Sequence, residues 1–175
     1  MRKRWKAALA GLITLWTAVP AMACIMMAGL RLDDLQYAST VVIGRVTHYE
    51  IVRDEDIRKR FPDRPPTQSY LSDYARFTIA VDRVLAGQAS PTLTVTWDNS
   101  TFGEPEHMDE GPYLIALRSP KSRTPPLRGP SATILPSAEP DILTVLQAPC
   151  APAFFFDASS DEAMAIRRRF QKPAQ

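Results

Sequence analysis

Two histidines, two cysteines and one run of carboxylates are the groups in this 175-residue chain whose types could do chemistry. Cys150 with His107 as base would be a nucleophile pair, but a half-cystine accounts for Cys150 more simply. His48 lies inside a β-branched run, where a structural histidine is the expected role. The chain has no Gly-x-Ser-x-Gly turn, no His-Glu-x-x-His pair and no phosphate loop. The reading is therefore a non-enzyme with no cofactor.

The run Glu104-Pro105-Glu106-His107-Met108-Asp109-Glu110 is the best metal candidate. Glu104, Glu106, His107 and Asp109 offer carboxylate oxygens and one imidazole to a divalent ion. Their spacing matches no calcium loop, so a solvated acidic turn is the competing reading. Cys24, Met26, Met27, His107 and Met108 are together soft enough for Cu(I), although methionines beside an apolar segment are more often packing.

The cysteines depend on compartment. Arg2, Lys3, Arg4 and Lys6 precede an apolar run over 7–19, then Pro20 and Ala21-Met22-Ala23. This reads as a signal peptide over 1–23, cleaved before Cys24. The mature chain then carries 17 basic against 19 acidic side chains, so the whole-chain charge of +2 becomes −2. That balance and export argue against a nucleic-acid partner. Two cysteines in an exported protein favour a disulfide between Cys24 and Cys150. The expected location is periplasmic or secreted. Lipid on Cys24 would instead make an outer-membrane lipoprotein. An uncleaved segment would make a membrane anchor, since no charge falls between Lys6 and Arg31.

The elements that would position these groups are mostly strands. Residues 74–97 alternate, with Phe77, Ile79, Val81, Leu93, Val95 and Trp97 on one face and threonines on the other. This predicts two antiparallel strands joined by a short loop. Residues 40–52, TVVIGRVTHYEIV, predict a long first strand bent at Gly44. Residues 32–39 predict a helical turn or two. The charged insertion 53–72 predicts a solvated loop with one helical turn, and 98–111 an acidic loop. A fourth strand is expected over 112–117 and an extended proline-bearing excursion over 118–140, with a short strand at 132–135. The closing strand is expected over 141–147. At the end, Ser159 and Glu162 predict a capping box, Arg167 to Arg169 suit the last turn, and Ala163, Ile166 and Phe170 form the buried face.

This order predicts a mainly β protein, a small five-stranded OB-fold-like closed barrel over 24–157 with a C-terminal helix over 158–172 packed on it. Cys24, VVIGRV (41–46), ARFTIAVDRVLAG (75–87) and GPYLIAL (111–117) resemble the netrin-module and tissue-inhibitor-of-metalloproteinases superfamily, its bacterial secreted members above all. The resemblance spans about Cys24 to Cys150. It implies an OB-fold that acts by binding a protein partner, a metalloprotease being one candidate. In the inhibitors of that superfamily the N-terminal cysteine chelates the protease zinc through its amine and carbonyl. That role would fall on Cys24, with Ile25 and Met26 alongside. The second cysteine of the inhibitors is replaced here by Met26, and NSTFGEPEH lacks the one before the fourth strand.

Overall fold

The computed structural model describes residues 27–98, 104–128 and 135–171. Its first strand, β1 (Thr40–Val52), uses the β-branched run from end to end and pairs antiparallel with β2 (Tyr74–Ala86). Gly44 sits at a register shift where β1 bends across β2. A Cβ there would stand 2.5 Å from the Ala80 carbonyl oxygen and 2.6 Å from Ile79 Cγ2. Only hydrogen fits, and the bend follows from that. Gly87 ends β2 with a φ of +73°, which lets the chain turn into β3 (Thr92–Asp98).

β4 (Tyr113–Arg118) pairs with β1, and the two-residue β5 (Thr144–Val145) joins β4 to β3. The order β1-β2-β3-β5-β4 thus returns to β1 and closes a five-stranded barrel of OB-like form. A sixth strand, β6 (Phe155–Asp157), adds to β4.

Two apolar clusters follow from the two faces of the wall. Val42, Val46, Phe77, Ile79, Val95, Ile115 and Leu117 fill the barrel. Val41, Ile43, Leu114 and Ala116 face outward, yet are buried beneath Leu35, Phe154 and the helix residues Ala163 and Ile166. β1 and β4 are covered on both sides, which is why they read as continuous apolar runs and not as alternation. The helix α2 (Asp161–Gln171) is the cover, and its expected apolar face is the one that docks.

Three expectations need correction. The helix cap is Ser160, whose Oγ accepts from the Ala163 N–H at 3.2 Å, and not Ser159. Asp157 takes both the N–H and the hydroxyl of Ser159, leaving the next serine to close the helix. The closing strand shrinks from 141–147 to Thr144–Val145, because Ile142 N–H turns back to the Glu139 carbonyl. β6 was not expected at all. Phe155 enters the open end of the barrel, stacked on Trp97 at 5.3 Å, and so draws its neighbours onto β4. The 132–135 strand expectation lies mostly outside the described residues. No helix among the described residues is long and apolar enough to cross a membrane.

Candidate functional site

The β1–β2 insertion, expected to be a solvated loop, is built around one buried carboxylate. Asp73, at the foot of β2, has a side chain with 0% exposure. Arg58 donates to it twice, at 2.7 and 2.8 Å, and the N–H groups of Asp54 and Tyr70 donate at 2.8 and 3.0 Å. Burial pushes the Asp73 carboxyl up, but these donors and the guanidinium charge together hold it below its usual range. Arg58 also reaches the carbonyls of Asp54 and Gln68 and lies over the Tyr70 ring at 5.0 Å. It projects from a short helix, α1 (Glu55–Arg60), whose cap is Asp54, accepting from the N–H groups of Asp56 and Ile57.

Opposite stands the segment before β5. Glu139 accepts from the Tyr74 hydroxyl at 2.9 Å and from Arg76 Nε at 2.7 Å. Ser137 donates to Asp98 at 3.2 Å. Burial pushes the Asp98 carboxyl up, and Ser137 and Arg118 only partly offset this.

Between these two walls run adjoining hollows of about 420 and 380 Å³. They share Asp54, Leu71, Ser72 and Leu135. One reaches Tyr74 and Asp98 at its floor, and the other runs past Ile57 and Arg60 on α1. The rim is apolar: Leu71 is 44% and Leu135 43% exposed. A groove between the β1–β2 and β4–β5 connections is where small barrels of this type hold their ligands, an analogy at the level of fold.

The expected metal ligands do not converge. Glu104 turns inward, with Oε2 buried and unpartnered among the described residues, while Glu106, His107 and Asp109 are exposed. Burial raises the Glu104 carboxyl to about 7, with the charges of Asp73 and Asp98 adding to the effect. Among the described residues no three His, Cys, Asp or Glu side chains are grouped to hold an ion. The inward turn is held by Tyr49, whose hydroxyl donates to the Pro105 carbonyl. His48 is exposed on a β1 bulge with a φ of +52°.

Cys24, Ile25 and Met26 lie outside the described residues. Cys150 is buried and is not a free thiol. Its carbonyl accepts from the Ala28 N–H at 2.8 Å, so the N-terminal segment arrives beside it. Arg128 ties the excursion to the same region, pairing with the buried Asp34.

No family model, curated protein or solved structure matches this chain. The site residues that the sequence reading missed are Arg58, Asp73, Tyr74 and Glu139. Arg58 follows a block of three acids in a charged run that looks solvated, and its partner is fifteen residues away. The one available signal was an aspartate directly preceding an alternating strand.

Proposed function

We propose that this protein is an exported OB-like binding module that holds a protein partner in the groove between its two long connections. The observation that carries the reading is that both walls are pinned while their rims stay apolar and open. Buried charge pairs are an expensive way to order a surface loop. Walls ordered before binding do not lose that conformational freedom on contact, which is how a preorganised surface gains affinity. Hydrophobic side chains such as Leu71 and Leu135, set above buried polar groups, suit an extended polypeptide segment better than a small polar metabolite. Periplasmic or secreted placement, and a Cys24–Cys150 bond, belong to the same reading. Ala28 anchored on the Cys150 carbonyl supports that bond.

A photoreactive residue at Leu71 or Leu135, in the natural host, tests the groove. A discrete adduct with one exported protein is expected from both sites and not from Val84, an exposed apolar residue of β2 that lines neither hollow. Leu71→Arg with Leu135→Arg should remove that adduct from a probe placed at Ile57 while leaving the melting temperature unchanged. Equal labelling from all sites would sink the proposal. The second reading is protease inhibition through Cys24. It predicts that one extra residue before Cys24 abolishes inhibition of a zinc protease.

A further inference from the structure

Along an antiparallel strand the N–H and C=O of one residue point the same way, and successive residues alternate between the two edges. Thr96 N–H points away from β2, to the Leu143 carbonyl at 2.9 Å. Thr94 and Thr92 share its parity, so their backbone groups face the same way. The opposite parity is confirmed by Pro91, whose carbonyl accepts from Val81 N–H on β2 at 2.8 Å. β5 meets β3 only at Thr96, opposite Thr144. Among the described residues the N–H groups of Thr92 and Thr94 therefore have no partner, and both residues are exposed. The Ser90 hydroxyl donates to the Thr92 carbonyl, which keeps a second lone pair.

Proteins usually guard such an edge with a charge, a proline or a bulge. Here Thr92-Leu93-Thr94-Val95 carries no charge and no proline, and its register with β2 is unbroken. We propose that this edge of β3 is a self-association surface, at which a second copy of the chain adds its own β3 antiparallel about a two-fold axis at Leu93. Residue parity selects the centre. With Leu93 opposite Leu93 of the second copy, each Thr92 faces a Thr94, and each of these two pairs exchanges both N–H···O=C bonds. The leucines then meet at the non-hydrogen-bonded position, where side chains approach most closely. Centring on Thr94 instead would need the Thr96 N–H, which Leu143 already holds. The surface is short, well under the roughly 1,000 Å² of a stable interface, so the dimer is weak.

Sedimentation of the mature chain from about 10 μM to 2 mM, a range that reaches the weak end of specific association, should show a monomer–dimer equilibrium. Amide exchange at Thr92 and Thr94 should slow as concentration rises. Thr94→Pro removes an outward N–H that the β2 ladder does not use, and Thr92→Lys adds a guard. Each should return the protein to monomer without changing its melting temperature. A monomer at every concentration, or a dimer untouched by Thr92→Lys, overturns the proposal. So do threonine amides already protected in dilute solution. If Thr94→Pro does not fold, the lysine variant and the exchange measurement decide alone.

Discussion

Asp73 and Glu104 are carboxylates at the same end of the barrel with opposite fates, and the difference is the number of donors each meets. Asp73 has an arginine fork and two backbone N–H groups, whereas Glu104 leaves one oxygen buried without any among the described residues. Replacing Arg58 by Met should therefore be severe, about 3–5 kcal/mol in urea denaturation, because it strands a charge with no exposure. The double change Arg58→Met/Asp73→Asn should cost less than the single one. Glu104 works the other way. Its folded-state pKa lies near 7 against an ordinary 4.5, so between those values the unfolded chain has released a proton that the folded chain keeps. Stability should fall as pH rises from about 4.5 to about 7 and level off above that. Glu104→Gln should flatten the slope and stabilise the protein at pH 8 by roughly 1–2 kcal/mol, discounted for a carboxyl that is only partly enclosed. A wild type equally stable at pH 5 and pH 8 would refute this.

At the scale of elements, the strands that alternate or run apolar were legible in sequence, because neighbouring residues record which faces are covered. Val41 and Val42 face opposite clusters, and both are buried. Helix α2 was legible as an amphipathic stripe, but its cap was not, since Ser159 and Ser160 are equivalent until Asp157 engages one of them. Ser160→Ala should cost about 1 kcal/mol of stability and Ser159→Ala clearly less, by thermal unfolding. Gly44→Ala should cost more than either, about 2–4 kcal/mol, since its Cβ would meet β2 backbone. β6 escapes the sequence and β5 is read too long there for one reason: two- and three-residue strands carry too few residues to show a period or its limits.

Across the whole molecule, the N-terminal segment and the start of the excursion after β4 meet around Cys150, through Ala28 and through Arg128, whose N–H donates to the Pro149 carbonyl at 3.1 Å. A bond from Cys24 to Cys150 would lock that meeting, worth about 5 kcal/mol in the chain-entropy view before strain is subtracted. The native mature protein should have a mass that starts at Cys24 and is two hydrogens lighter than the dithiol. Reduction should lower its melting temperature. A lipid-bearing mass would exclude both the bond and inhibition through the Cys24 amine.

A β-rich barrel, its longest strands and the helix that covers it are legible in the order of residues alone. These depend on which side chains avoid water, a property written at short range in alternation and β-branching. The groove exists only in the folded chain. Leu71 and Leu135, or Arg76 and Glu139, lie more than sixty residues apart and become neighbours only once β1 has closed on β4. The charges that hold its walls look, along the chain, like any solvated loop, and burial alone separates Asp73 and Glu104 from the acids that stay in water.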